Sequence, residues 1–255
     1  MKLRAFFLFI LFISSTNLVI AQNLSEHEIG ISFGIHQVRS DYGERFDSET
    51  NFGNQGTAIA VSYFYNAANS RSARFFQEHF KYQIYFQYSS SNLEHFGDAA
   101  DDPRLEAMTG SYTNISINTG FEFYPLGILT LDKKGSSNFF KKVSPYLGIG
   151  LGLNFVAPDA ESSLPGGLGA PENVFPTFVS NDADKGIVLD NLTTGSLNIR
   201  TGIRFKFSER SGIILESSWR LYGSDLVDGL SPVGPQNKNN DWSWGINLGY
   251  NFFIF

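Results

Sequence analysis

Residues 241–255 read DWSWGINLGYNFFIF, a stretch in which apolar and polar positions alternate with a period of two. The apolar positions are Trp242, Trp244, Ile246, Leu248, Tyr250, Phe252 and Ile254. The polar or small positions between them are Asp241, Ser243, Gly245, Asn247, Gly249 and Asn251. Because successive side chains of a β-strand point to opposite faces, this pattern predicts a strand with one apolar and one polar face.

Seven further segments repeat this alternation along the chain. They are residues 28–36, 58–65, 81–88, 114–123, 146–155, 197–207 and 213–221. Eight such strands can close into an antiparallel barrel, and bacterial outer-membrane barrels have an even number of strands. The sequence therefore predicts an all-β fold, an eight-stranded antiparallel barrel.

The apolar face of this predicted barrel is expected to contact lipid. It carries more large side chains than the interior of an eight-stranded barrel can hold, since that interior is only just wide enough for side chains to fill. The fold class is thus a transmembrane, outer-membrane β-barrel. On this basis Leu151→Arg, on the lipid face, is expected to be costly, and Asn154→Ser, on the lumen face, nearly silent.

The polar face combines many glycines with charged side chains. Five of the charged residues define a predicted lumen charge network: Arg200, Arg204, Glu216, Arg220 and Glu122. Charges in a narrow interior persist only if they are paired, so we expect these arginines to lie within pairing distance of the glutamates and to plug the lumen. A narrow path for solutes is the alternative interpretation of the same residues.

The N-terminal region has the parts of a secretory signal peptide. Two basic residues within the first four positions precede an apolar run at residues 5–13, and small residues lead to a cleavage site ahead of Gln22. We therefore expect residues 1–21 to be a cleaved signal peptide and residues 22–255 to form one barrel domain in the cell outer membrane.

Composition excludes several classes of function. The chain has no cysteine, which excludes a disulfide framework and a cysteine zinc site. Its 25 acidic residues outnumber its 19 lysines and arginines, and the formal net charge is −6. Since binding to the phosphate backbone draws on clustered lysine and arginine, we expect no nucleic acid partner.

Connections between the predicted strands suggest where partners bind. Four long connections are predicted to face outward: residues 39–55, 92–110, 156–192 and 223–240. Link 126–143 should be a short periplasmic turn, yet it is long and carries four lysines. We expect outer loop 156–192 to lack regular structure and, like link 126–143, to offer a docking surface to a protein partner. The outer-membrane lipid surrounds the barrel.

Catalysis needs a nucleophile within reach of a base. His95 lies beside Glu94 and close in sequence to Ser89, Ser90 and Ser91, but no nucleophile motif accompanies them. We therefore expect no catalytic residue here, and we interpret Glu94 and His95 as residues that stabilise a loop through hydrogen bonds.

Acidic residues in the outer loops could bind Ca²⁺ through carboxylate oxygens. They are Asp98, Asp101, Asp102, Asp182, Asp184 and Asp190. Their spacing does not match an EF-hand loop, so solvated acids are the simpler interpretation, and we expect no metal and no cofactor. Asp41, Glu44 and Arg45 are expected to form a salt-bridge network at the rim.

Four stretches of the chain resemble short outer-membrane barrels of Bacteroidota, a family whose members mostly lack an assigned role. The stretches are residues 41–45 (DYGER), 92–97 (NLEHFG), 122–126 (EFYPL) and 144–152 (SPYLGIGLG). The last stretch is also similar to the PorG-like barrel of the type IX secretion and gliding apparatus. The resemblance implies the barrel architecture and is compatible with an accessory role in secretion.

These features favour a non-enzymatic outer-membrane barrel with a structural or accessory role, for example in a secretion or surface-assembly machine. A lipid-modifying enzyme of the outer membrane is the first alternative, and a narrow solute channel is the second. A nucleophile paired with a base at the rim would favour the enzyme, and a continuous water-filled lumen would favour the channel.

Overall fold

The structure, a computed structural model, describes residues 26–43, 47–66, 74–97, 101–128, 143–179, 186–208, 210–232 and 240–254. The predicted signal peptide, residues 1–21, lies outside the described residues. So does most of link 126–143, namely residues 129–142.

Eight antiparallel strands form a closed barrel, in which each strand pairs with its neighbours in sequence and β1 pairs with β8. The strands are β1 (Glu26–Arg39), β2 (Gln55–Asn66), β3 (Phe80–Glu94), β4 (Met108–Phe123), β5 (Val143–Ser162), β6 (Leu192–Lys206), β7 (Ser211–Tyr222) and β8 (Trp242–Ile254). Each strand overlaps one of the segments that the alternation predicts, and several strands extend further toward the extracellular side. The predicted fold class is confirmed.

Short helices lie in three of the connections. Helix α1 (Ser48–Gly53) follows β1, helix α2 (Arg74–His79) follows β2, and helix α3 (Pro103–Glu106) follows β3. Among the described residues, no helix is long and apolar enough to cross a membrane.

The exterior of the barrel carries a belt of exposed apolar side chains. Leu151, Leu248 and Phe33 are 65%, 61% and 60% exposed. On β5 the belt extends from Leu147 to Phe155, which is about 26 Å along the strand and about 20 Å along the barrel axis at a tilt of about 40°. This height is close to the apolar band of roughly 25 Å found in outer-membrane barrels. The apolar face therefore contacts lipid.

Beyond the belt, the polarity of β5 inverts while its register continues. The outward side chains there are exposed and small or acidic: Ala157, Asp159 and Glu161. The inward side chains are buried and apolar: Val156, Pro158 and Ala160. Apolar residues inside and polar residues outside are typical of a barrel in water, so the inversion marks where the strand leaves the membrane on the extracellular side.

The extracellular strand ends and the outer loops pack around one apolar cluster, which we call the extracellular cap. Its buried members are Val38, Tyr42, Leu93, Leu105, Met108, Tyr112, Val156, Ala160, Val174, Phe178, Tyr222, Val227 and Leu230. All four outer connections contribute to it. The loops are thereby held together by burial of apolar surface above the membrane.

Outer loop 156–192 is more ordered than the sequence suggests. Its first residues, up to Ser162, continue β5. Three turns of 3-10 helix follow, at Gly167–Gly169, Pro171–Asn173 and Pro176–Phe178. Val174 and Phe178 are buried in the extracellular cap. For the described part of this loop, the expectation that it lacks regular structure is wrong, because apolar side chains between its prolines anchor it.

Candidate functional site

Inward-facing side chains of the periplasmic half of the barrel form a network of ion pairs. This lumen ion network contains three basic and three acidic residues: Lys81, Arg200, Arg204, Glu28, Glu122 and Glu216. The basic and acidic groups alternate along one chain of contacts, so their formal charges cancel. All six occupy polar-face positions of the alternating strands, which is why they point into the lumen.

Arg204 lies between two carboxylates at the centre of the network. Its Nη1 atom is 2.8 Å from Glu28, and its Nη2 atom is 2.7 Å from Glu122. Nη1 of Arg200 lies 3.3 Å from Glu122 and 3.4 Å from Glu216, which extends the network toward the middle of the barrel. Each arginine therefore bridges two acids contributed by different strands.

Tyrosine hydroxyls provide further hydrogen bonds to the acids. The hydroxyl of Tyr124 donates to Glu122 at 2.5 Å, and the hydroxyl of Tyr146 donates to Glu216 at 2.7 Å. Buried ion pairs persist only when such additional hydrogen bonds satisfy the remaining lone pairs. The carboxylates are thus fixed in position as well as paired.

Glycine provides the space that the long side chains require. Gly148 faces Arg200 in the register of β5 and β6, and a Cβ atom at Gly148 would lie 3.1 Å from Nη2 of Arg200. The guanidinium of Arg204 lies 4.1 Å from the ring centroid of Phe64, within range of a cation–π contact. Small and long residues together fill this half of the narrow lumen.

Four of the five residues predicted for the lumen lie in this network, and Arg220 does not. Its Nε atom donates to Asn198 at 3.1 Å, and its Nη2 atom donates to Gln87 at 2.5 Å. Among the described residues, no acidic group lies at ion-pair distance from Arg220. The expected pairing of Arg220 with Glu216 or Glu122 is therefore not found, and amide oxygens take the place of the carboxylates.

The sequence interpretation missed Glu28 and Lys81, which form an ion pair with each other. Both residues are charged and lie on the polar face of an alternating segment, so a signal was present. The alternation does not give the partners across the lumen, because those depend on the tilt and stagger of the closed barrel.

Toward the extracellular side, amide side chains replace the ions. Asn154 is fully buried and donates to the carbonyl of Thr194 at 3.2 Å and to the hydroxyl of Ser196 at 2.9 Å. It also accepts a hydrogen bond from Asn114 at 3.2 Å. The sequence-based expectation that Asn154→Ser is nearly silent does not include these hydrogen bonds. Because the change leaves buried polar groups unpaired, we now expect it to cost about 1–3 kcal/mol.

A polar cavity of about 40 Å³ lies in the lumen. His36, Gln87, Arg200 and Arg220 form part of its lining. Since one water molecule needs roughly 10–15 Å³ measured in this way, the cavity has room for about three waters. It can hydrate the inward polar groups, but it is far smaller than the roughly 300–1,000 Å³ of small-molecule sites.

His95, which the sequence singles out as a possible base, is a buried residue of the cap. Its Nδ1 atom accepts a hydrogen bond from the backbone N–H of Gly43 at 2.9 Å, and its ring lies 5.0 Å from the ring of Tyr42. Burial lowers the pKa of His95 to about 4, so the imidazole is neutral near pH 7. These contacts join the first outer loop to the second.

The described residues among the acids considered for Ca²⁺, namely Asp101, Asp102 and Asp190, do not form one group. Asp102 caps helix α3 and pairs with Arg104 at 2.7 Å, and the hydrogen bond from the Arg104 side chain lowers the pKa of Asp102 to about 2. Asp101 and Asp190 are exposed. Three of the acids lie outside the described residues: Asp98, Asp182 and Asp184.

Comparison with protein-family models and with curated protein sequences gives no significant match. Several solved structures are similar. The attachment invasion locus protein Ail of Yersinia pestis is 14% identical, with 90% of this chain and 99% of that chain covered and a TM-score of 0.43. Neisserial surface protein A is 13% identical, with 89% and 96% covered and a TM-score of 0.44. A major outer membrane protein of Thermus thermophilus is 9% identical, with 91% and 100% covered and a TM-score of 0.44.

The architecture follows from the strand ladder itself, and the membrane assignment follows from the apolar belt. Closed antiparallel barrels with a lipid-facing belt and an even number of strands are the transmembrane proteins of bacterial outer membranes. This chain is an outer-membrane β-barrel. Its lumen is filled by ion pairs and amides, and its outer loops form a packed cap.

Proposed function

We propose that this protein is a non-enzymatic outer-membrane barrel that acts as a structural or accessory component and presents its extracellular cap to a protein partner. The observation that carries the proposal is the combination of a filled lumen with ordered outer loops. A filled lumen favours a role that depends on the surface of the barrel rather than on its interior.

The lumen supports this proposal because its contents are fixed. The buried acids and bases of the lumen ion network hold one another, and moving one of them would strand the charge of another at a cost of several kcal/mol. A transport path through this layer would require that change in every cycle. The filled lumen therefore argues against the channel alternative.

The extracellular cap supports the proposal because it offers an ordered surface with exposed apolar anchors. Phe52 of helix α1 is 74% exposed, and Leu189 of outer loop 156–192 is 40% exposed. Aromatic residues such as Phe52 are enriched at protein interfaces. Because packing already orders the loops, a partner that binds them loses less conformational entropy.

We further propose that the partner belongs to a secretion or surface-assembly machine. The support for this finer assignment is the resemblance of the four stretches to short Bacteroidota barrels, and of residues 144–152 also to the PorG-like barrel of the type IX secretion apparatus. Link 126–143 is then a second docking element on the periplasmic side, where its lysines would attract an acidic partner.

Photo-crosslinking in intact cells tests the docking proposal. A photoreactive amino acid is placed at Phe52 or Leu189 on the cap, and at Leu151 in the lipid belt as the control. We expect discrete protein adducts from one or both cap positions and only lipid adducts from Leu151.

Adducts that are identical at the cap and control positions would contradict docking through the cap. If a position within residues 129–142 alone gives a protein adduct, the interface lies on the periplasmic side instead. Transfer or hydrolysis of a lipid acyl chain by the purified barrel would show that the enzyme alternative is correct.

A further inference from the structure

Four aspartates meet at the extracellular end of the seam that closes the barrel. Arg39 of β1 pairs with Trp242 of β8 in the register, so the residues just beyond this pair, Asp41 and Asp241, are brought side by side. The connection between β7 and β8 adds Asp225 and Asp228, which completes the group.

The side chains of Asp41, Asp225 and Asp241 converge on one point. One carboxylate oxygen from each residue lies within 4.8 Å of one oxygen from each of the others. Ca²⁺ binds oxygen ligands at about 2.3–2.6 Å, so ligands on opposite sides of one ion are about 4.6–5.2 Å apart. The three oxygens are therefore spaced so that a single ion can contact all of them.

Asp241 provides a second and independent indication of a ligand. Only 1% of this residue is exposed, and its Oδ2 atom accepts a hydrogen bond from the backbone N–H of Val227 at 3.0 Å. Its Oδ1 atom is buried and has no hydrogen-bond partner among the described residues. A buried carboxylate oxygen without a partner is costly, and a bound cation would remove that cost.

Asp228 links the two loops through hydrogen bonds from their backbone N–H groups. It is fully buried, and its Oδ2 and Oδ1 atoms accept hydrogen bonds from the backbone N–H groups of Asp41 at 2.7 Å and of Leu230 at 2.8 Å. Glu44 and Arg45, expected at this rim, lie outside the described residues.

We propose that Asp41, Asp225 and Asp241 bind one divalent cation, Ca²⁺, on the extracellular face, with Asp228 orienting the loop that carries Asp41. The ligand atoms are all hard carboxylate oxygens, which favour Ca²⁺ or Mg²⁺ over zinc or copper. Ca²⁺ accepts the irregular geometry of ligands from two loops, whereas Mg²⁺ requires near-ideal octahedral geometry and retains several waters.

The bound ion would tie the first outer loop to the connection between β7 and β8. Both segments belong to the extracellular cap, through Tyr42 on one side and Val227 and Leu230 on the other. The site would therefore stabilise the cap under extracellular conditions, in which Ca²⁺-dependent modules commonly have Kd values of about 10⁻⁴–10⁻³ M. This inference does not depend on the proposed docking function.

The test is direct binding of Ca²⁺ to the full-length mature barrel, folded in lipid vesicles and stripped with a chelator. Calorimetric titration measures affinity and stoichiometry. Terbium(III), a luminescent substitute for Ca²⁺, provides a local readout because Tyr42 and Trp242 adjoin two of the ligands and can sensitise its emission. The ligand variants are Asp241→Asn and Asp225→Asn, and Asp190→Asn is the control, because Asp190 is an exposed acid of another outer loop.

We expect one Ca²⁺ per barrel in the wild type and in Asp190→Asn, with affinity reduced about tenfold or more in both ligand variants, since ligand charge tunes Ca²⁺ affinity. Terbium emission should fall in parallel and should be displaced by Ca²⁺. If Asp241→Asn fails to fold, the partly exposed Asp225→Asn decides the result. The proposal is overturned if the wild type binds no stoichiometric Ca²⁺ at millimolar concentration, or if the ligand variants bind it as tightly as the control.

Discussion

At the scale of the residue, the cost of burying charge determines how the side chains in the lumen are arranged. Glu28, Glu122 and Arg200 are almost fully buried, and an isolated charge in such a position would be prohibitive. Each of them contacts two opposite charges. The network is thus stable as a set, while each member depends on the others.

Glu122→Gln tests this dependence. The change preserves the shape of the side chain but leaves Arg200 and Arg204 with one carboxylate fewer between them. Loss of one partner from a buried ion pair costs about 3–5 kcal/mol, and we expect a decrease of that size in the free energy of unfolding. Urea unfolding of the barrel in lipid vesicles measures it.

The control for this measurement is Glu161→Gln, because Glu161 is exposed on the outward face of β5 beyond the belt. We expect its free energy of unfolding to stay within about 0.5 kcal/mol of the wild type. Equal effects of the two changes would mean that the lumen ion pairs contribute no more than surface charges.

The sequence predicts which residues face the lumen but not how they pair. Arg200, Arg204, Glu122 and Glu216 can be assigned to the lumen from the alternation, because inward direction is a local property of a strand. Pairing is a property of the closed barrel, because it depends on which strands face each other across the lumen. The alternation therefore does not predict the ion pair between Glu28 and Lys81, and it does not predict that Arg220 binds amide oxygens instead of carboxylates. Asn154 shows the same limit, since its three hydrogen bonds reach three different residues.

At the scale of the element, β5 is one strand in two environments. Its central part is apolar outside and polar inside, and its extracellular end is the reverse. The sequence predicts the central part well, because lipid contact produces an unbroken apolar stripe. The stripe alone predicts a loop at this end, since the outward residues from Ala157 to Glu161 no longer continue it. The alternation itself continues there with inverted polarity, and this continuation is the sequence signal that identifies the extracellular end as part of β5.

A pair of arginine substitutions on the same face of β5 tests where the membrane ends. We expect Leu151→Arg to lower the free energy of unfolding by about 2–4 kcal/mol, because it places a charge near the bilayer midplane. Ala157→Arg, three outward positions further along, should cost about 0–1 kcal/mol, because the polarity inversion places it at or beyond the interface.

Refolding equilibria in lipid vesicles measure both changes. The strand, the face and the introduced side chain are the same at both positions, which differ in depth and in the size of the apolar residue replaced. If Ala157→Arg is as costly as Leu151→Arg, the inversion does not mark the membrane surface.

At the scale of the whole molecule, the barrel is built in layers along its axis. The periplasmic half contains the lumen ion network, the middle contains amides around a cavity with room for about three waters, and the extracellular end is closed by the apolar cap. An ion crossing the barrel would meet these barriers in series. The first would require breaking buried ion pairs, and the last would require moving apolar side chains that are packed together.

Electrical recording across a planar bilayer tests this layered closure. We expect the wild-type barrel to give no stable openings, whereas a wide porin in the same bilayer does, because a 16-stranded lumen is an aqueous channel. Arg204→Ala, which opens space in the first layer, should also remain closed, since the cap still blocks the path. Stable openings by the wild type would disprove the filled lumen and favour the channel alternative. Openings that appear only in Arg204→Ala would mean that the lumen ion network closes the barrel and that the cap is permeable to ions. The cap would then serve contact with a partner rather than closure.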